Sequence, residues 1–358
     1  MIALTPLSEL GSYLVFSILA GHVALQFVPL SKKPAIHIPK KVLLLSCLGI
    51  YLFTFGPVAQ VISYFSGSVG FTLAVYSVLT DFEVGKAWLF IGLMSVLLWF
   101  SLLFNASKYI QAAILLLMIL AVGYASHVAS LSGWAGFSSH SIHFLAVTLW
   151  IGILFHVAWF AKDQSNWSSF LSWFTPFAIT SFLIILISGL TLMSYVVKPE
   201  DYVSSWAVPY GHTLLLKHIS IIPILFFAFL NGLLARKSRF SDYFDPSPWL
   251  KIESIMILMA FYFTSILGTL SPPHEVDFTI KTEGAFPWVE WILGINILST
   301  QTLEFIPMLP SILLFIISIL FLTLIFISFK KVKPLVALFF GLSFIFAMYF
   351  GLLLSLSF

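Results

Sequence analysis

The sequence predicts an all-α fold: a polytopic transmembrane helical bundle of about ten helices, with the N-terminus and C-terminus both outside. Three observations predict it. The composition is too apolar for a water-coated globule, apolar runs of membrane-spanning length recur along the chain, and the basic residues fall in alternate loops. Hydrophobic residues make up 60% of the 358 and charged residues only 9%, whereas a soluble domain is about a quarter charged. Mean hydropathy is +1.06.

Spanning a bilayer takes roughly 20 apolar residues. Runs of that kind lie near 8–30, 42–64, 86–105, 109–127, 139–161, 173–197, 212–234, 249–271, 309–329 and 334–355. The first has no basic segment before it and no small-residue cleavage site after it, so it reads as a retained helix, not a signal peptide. Residues 66–80 are apolar but short and end in "TDFEVG"; they are expected to form a short interfacial or re-entrant helix. If ten helices alternate, one side holds 13 of the 17 basic residues: Lys32, Lys33, Lys40, Lys41, Lys108, Lys162, Arg236, Lys237, Arg239, Lys251, Lys330, Lys331 and Lys333. The opposite side takes Lys86, Lys198, Lys217 and Lys281 with most of the acids, and the positive-inside rule makes that side external.

Three segments follow from this reading. Residues 1–275 form the core, helices 1–8 with the piece at 66–80. Residues 276–308 form an extracytoplasmic loop whose Phe286, Trp288 and Trp291 suit an interfacial segment. Residues 309–358 form a C-terminal helical hairpin, helices 9 and 10; the whole reads as one integral-membrane domain, with the hairpin as an appendage the alternative.

Several function classes drop out. A net charge of +3 is too small to suggest a nucleic-acid partner. The one cysteine, Cys47, allows no internal disulfide and no CxxC metal motif. Without a Walker loop, GxSxG or HExxH, neither an enzyme nor an ATP-driven pump is expected.

Histidine is the chemistry-bearing residue that stands out. His127, His140, His143, His212, His218 and His274 all fall at or near the outer face, around the ends of helices 4, 5, 7 and 8. His22 and His156 lie deeper, at about 20–25 Å from the outer ends of helices 1 and 5 at 1.5 Å per residue, and so share one depth. His37 sits in the basic inner loop, where a solvated role suffices. Ionisable groups inside a bundle usually face its interior and are functional candidates, although a neutral histidine bonded to a backbone carbonyl is also a common structural device. His140 and His143 are neighbours on one turn. His156 lies about 140° around the helix from His143, so the inner histidine serves a second site or a bent path. Imidazole suits copper, zinc, iron and nickel. Met118, Met193, Met256 and Met259 are potential soft ligands but more ordinarily packing residues. Asn231, Glu253 and Lys217 lie near the expected helix ends, where capping or snorkelling accounts for them.

"HSIHFLAVTLWIGIL" resembles the "HxxxxxxWxGGL" helix of the copper resistance D (CopD) family, which includes YcnJ-type copper uptake proteins. "LTDFEVGKAWLF", "FTPFAITSFLIILISGLTLMSYVV", "WAVPYGHTLLLKHISIIPILFFAFLNGLLARK" and "LKIESIMILMAFYFTSILGTLSPP" follow the order of that family's core, so the resemblance covers roughly residues 10–275. It implies copper transport, import being the expected direction, across the cytoplasmic membrane of a bacterium. A separate CopC-like extracytoplasmic protein is the implied donor, since no such domain is fused here. His127, His143 and Trp150 match family-like positions. Ile153 replaces a second glycine, and His218 stands where leucine is expected.

Three functions stay open at this point. The outer histidines could capture a copper ion that His22 and His156 relay inward. His22 and His156, or an outer pair, could ligate haem b in an electron-transfer protein. Or the protein could bind copper without transporting it, as a sensor or assembly factor.

Overall fold

The computed structural model describes residues 4–163, 165–238, 245–331 and 333–357, with no side chains described for 233–238. Among the described residues the chain is almost entirely helical. Nine helices are long and apolar enough to cross a membrane, and the tenth expected span, Lys108–Tyr124, has 17 residues. This is an all-α, multi-pass membrane protein. It divides into two compact units: Met1–Leu192 with Ala235–Ser247, and Met193–Leu234 with Pro248–Phe358.

Unit 1 contains α1 (Thr5–Phe27), α2 (Lys40–Phe53), α3 (Phe55–Val69), α4 (Phe71–Thr80), α5 (Glu83–Leu103), α6 (Lys108–Tyr124), α7 (His127–Ser132), α8 (Trp134–Phe160) and α9 (Trp167–Ser194), the last up to Leu192. Helix α1 packs on α2, α6 and α8. Its Phe16, Leu19, Ala20 and Val23 anchor an apolar core with Cys47, Leu98, Met118 and Phe144. The long span Lys40–Val69 breaks at Thr54 for a local reason. Pro57 has no N–H to give the Phe53 carbonyl, and the Ser8 hydroxyl donates to that carbonyl instead, at 2.5 Å.

The expected helix at 66–80 takes a different form. Helix α3 runs on to Val69, and Gly70, at φ +82°, turns the chain into α4. Only a residue without a Cβ adopts that angle cheaply, so the break falls at the glycine. Helix α4 then folds back on α3 and packs on α5, burying Val58, Ile62, Ala74 and Val78 between them. The expected loop at 128–139 is also shorter than anticipated. Ser126 caps α7, and α8 begins at Trp134 immediately after Gly133, φ +56°.

The basic loops of unit 1 meet at one end. Ile36 and Ala161 form an antiparallel bridge, with His37 N donating to Phe160 O at 2.9 Å and Lys162 N to Ala35 O at 2.8 Å. Trp173 Nε1 donates to Lys32 O at 2.8 Å, and Lys40 Nζ to Leu103 O at 2.7 Å. The three loops that charge alternation assigns to one side are therefore on one side.

Unit 2 contains α10 (Pro209–Ser238, through Leu234), α11 (Ser247–Leu267, from Pro248), α12 (Val276–Glu283), α13 (Pro287–Leu293), α14 (Leu309–Lys330) and α15 (Pro334–Leu353). A two-residue ladder, Glu304↔Ser357 and Phe305↔Leu356, ties the C-terminal end to the segment before α14. Within unit 2 the C-terminal hairpin packs on α10 and α11. Gly341 of α15 faces Phe227 of α10 and Met256 of α11, and Trp249 of α11 meets Phe329 of α14 edge to face at 5.0 Å.

Candidate metal site

The closest histidine pair is built by two glycines. A Cβ on Gly21 of α1 would stand 2.7 Å from His156 Nδ1 and nearer still to the Gly152 carbonyl; a Cβ on Gly152 of α8 would stand 2.7 Å from Gly21 N. The two backbones therefore touch, as small residues allow in membrane bundles. That contact sets His22 beside His156, with ring centroids 6.4 Å apart and planes inclined by 33°. Two metal–nitrogen bonds of about 2 Å, added to the radius of each ring, roughly fill that separation.

The tautomer of His156 follows from its partner. Nδ1 lies 2.8 Å from the Gly152 carbonyl oxygen, and a carbonyl only accepts, so Nδ1 carries the proton. Nε2 is then the lone-pair nitrogen, and it is buried without a hydrogen-bond partner among the described residues. A backbone carbonyl orienting one ring nitrogen while the other is left for an ion is the usual support of a metal-binding histidine. His156 is buried and His22 half-buried.

Below the pair, α1 ends in polar company. Gln26 Nε2 donates to Oε1 of the buried Gln111 at 2.7 Å. Lys108 Nζ donates to the Gln26 carbonyl at 3.4 Å, and Lys33 Nζ to the Leu25 carbonyl. Both lysines thus satisfy carbonyls that a helix C-terminus leaves open. Burial, and then the neighbouring Lys108, lowers the Lys33 ammonium from its ordinary range.

The remaining candidate histidines are dispersed. In unit 1, His127 is exposed at the start of α7 and does not end the helix before it. His140 stacks over Phe144 at 6.5 Å. His143 Nδ1 lies 3.0 Å from Ser188 Oγ; because the Ser188 proton goes to the Ile184 carbonyl, His143 Nδ1 donates. Gly189 leaves room for that ring against α9, since a Cβ there would stand 3.3 Å from His143 Cε1. In unit 2, His212 Nε2 lies 3.0 Å from the Tyr349 hydroxyl, which accepts from Trp288 Nε1 at 2.6 Å. An indole N–H only donates, so the Tyr349 proton is the one left for His212 Nε2, which is then spoken for. The Tyr202 hydroxyl stands 2.7 Å from His218 Nδ1, and burial pushes this phenol up to about 12. His274 is exposed. Among the described residues no group of three or more His, Cys, Asp or Glu side chains could hold a metal ion.

Haem does not fit the inner pair. A bis-histidine macrocycle needs a gap between the helices that carry its ligands, and α1 and α8 touch at Gly21 and Gly152, beside His22 and one turn from His156. The glycines bring the helices together where a porphyrin would have to lie.

Sequence reasoning overlooked the partners that fix these rings. Tyr349 is 137 positions from His212, and nothing local in the sequence marks it. Lys217, Asn231 and Glu253 were expected near helix ends, but α10 begins at Pro209 and runs to Ser238. Asn231 and Glu253 are both buried and bonded to each other.

Comparison of the chain with protein-family models, with curated proteins and with solved structures gave no match. The copper-family resemblance therefore rests on the quoted residues alone.

Proposed function

We propose that the protein carries copper inward across the cytoplasmic membrane of a bacterium, with His22 and His156 as a two-nitrogen binding site inside unit 1. The observation that carries this reading is the facing pair: two rings 6.4 Å apart, one held by a backbone carbonyl so that its other nitrogen is left for an ion. Two nitrogens suit Cu(I), a d¹⁰ ion that accepts two-coordination, better than Cu(II), which takes tetragonal sets. Lys33 and Lys108 also repel a singly charged ion half as strongly as a doubly charged one. A conduction site must bind weakly enough to release its ion, and a pair of ligands binds less tightly than a closed set of four. His127 and His140 lie toward the outer end on the charge assignment, where a separate CopC-like donor would dock. The protein binds and releases its cargo and transforms nothing.

The test is copper binding by the purified protein and copper flux into vesicles containing it. His22→Ala and His156→Ala should each lower flux at least tenfold while the melting profile persists. Binding without flux in the unaltered protein would favour the non-transporting reading. Unchanged binding in both variants would remove the site.

A further inference from the structure

Glu253 is a carboxylic acid in a membrane-spanning helix, and the copper reading gives it nothing to do. It is the seventh residue of α11 and 3% exposed. Carboxyl groups at such positions are rare and costly when charged. Its partner is the buried Asn231 of α10, whose Nδ2 donates to Glu253 Oε2.

The chemistry of that partner carries the argument. A lysine or arginine would hold the carboxyl permanently ionised. An amide can serve both states, because its NH₂ donates to a carboxylate and its carbonyl oxygen accepts from the neutral acid after the group turns over.

The other titratable groups on the surrounding elements are accounted for as follows. On α10, Lys217 lies fourteen residues before Asn231, about 21 Å along the axis, and Tyr210, His212 and His218 are also in that outer part. Arg236 and Lys237 follow Asn231, with side chains outside the described residues. Helix α14, reached through Trp249 and Phe329, carries Lys330, whose ammonium lies over the Phe326 ring at 4.6 Å, with Lys331 and Lys333 in the turn after it. Helix α15, reached through Met256 and Gly341, carries Tyr349, which is bonded to Trp288 and His212. Lys251, two positions before Glu253, does not share its helix face.

We propose that the Glu253–Asn231 pair is a proton-binding site of unit 2. The carboxylate takes one proton to become the neutral acid and gives it back, with the Asn231 amide turning to match each state. The site lies toward the N-terminal end of α11, so exchange occurs from that side. It belongs to unit 2 and stands apart from the copper reading.

Infrared difference spectra of the purified full chain, stepped from acid to alkaline pH, test the proposal. The expected result is a protonated-carboxyl stretch that fades as pH rises, is absent from Glu253→Gln, and moves in frequency and midpoint in Asn231→Leu. Should Glu253→Gln fail to fold, the Asn231→Leu shift decides alone. A carboxyl that stays ionised throughout, as an ion pair with Arg236 or Lys237 would make it, overturns the proposal. So does a titrating band that Asn231→Leu leaves unmoved. Copper content read on the same samples is an independent measurement, so failure of the copper reading and failure of this one are distinguishable.

Discussion

Replacing Gly152 with alanine adds one carbon at the point where α1 and α8 touch. That carbon would stand 2.7 Å from Gly21 N and closer to the Ser17 carbonyl oxygen. Both neighbours are backbone, so neither can turn aside as a flexible side chain would. Ordinary contact needs about 3.5 Å, so the helices must part by about 1 Å. Overpacking of this kind costs about 1–3 kcal/mol. A unit of roughly 200 residues loses about 2–4 °C of melting temperature per kcal/mol, giving a fall of about 2–12 °C. Parting the helices also separates His22 from His156, whose 6.4 Å spacing leaves little slack for two bonds of about 2 Å each. Copper affinity should therefore fall along with stability, although no histidine has been touched. The assay is a melting curve of the purified variant with a copper titration beside it. A variant that melts like the unaltered protein and binds copper equally well would refute the helix contact and the site built on it. Lost stability with full affinity would leave the contact standing and remove its link to the pair.

Two further outcomes follow from single contacts. Tyr349→Phe takes the hydroxyl from between Trp288 Nε1 and His212 Nε2; leaving such groups unsatisfied costs about 1–3 kcal/mol, so a lower melting temperature and a shifted tryptophan emission are expected, with copper binding in unit 1 unchanged. Asp163 accepts from the Ser165 hydroxyl at 2.7 Å and from the Ala35 amide at 3.1 Å, and these hold its carboxyl below the usual range, the hydroxyl most. With the folded value depressed, its contribution is present at neutral pH and fades as pH falls through the ordinary carboxylate range to the folded value. The melting difference between the protein and Asp163→Asn should therefore shrink on acidification, and a difference that grows would contradict the sign.

The fold was legible because lipid simplifies the code. In a bilayer every backbone group must be bonded within the segment, so a run of twenty apolar residues has little choice but helix, and charge alternation orders the loops. The loops around Ile36 and Ala161 do meet at one end of unit 1. What failed were positions where apolarity says nothing. The chain around 66–80 carries no charge and mixes apolar with small residues, and hydropathy cannot see that the break falls at Gly70, φ +82°, or that α4 doubles back on α3. The C-terminal hairpin reads as separate because it follows a long loop; its place beside α10 and α11 rests on contacts such as those of Gly341 with Phe227 and Met256, which no local pattern announces.

The site divides along the same line. His22 and His156 could be paired from sequence because depth in a membrane is a coordinate that counting residues recovers at 1.5 Å each, and two rings at one depth need only adjacent helices to meet. Rotation about the helix axis is not recovered that way. Charge alternation assigns the outer histidines to one face, yet within their own units His140 lies over Phe144, His143 on Ser188 and His212 on Tyr349, each turned toward its own neighbour. A shared depth is thus necessary for a site and far from sufficient; the deciding factor is close approach of the two helices at that level. For His22 and His156 that factor was written in Gly21 and Gly152, which the sequence displays but which can mean either room for a macrocycle or contact between backbones. Only the geometry separates the two, and it chooses contact. Asn231 and Glu253 show the converse: polar residues assigned to helix ends by their place in the sequence, which face each other in burial because two helices meet there at positions 22 apart in sequence, something residue counting does not reveal.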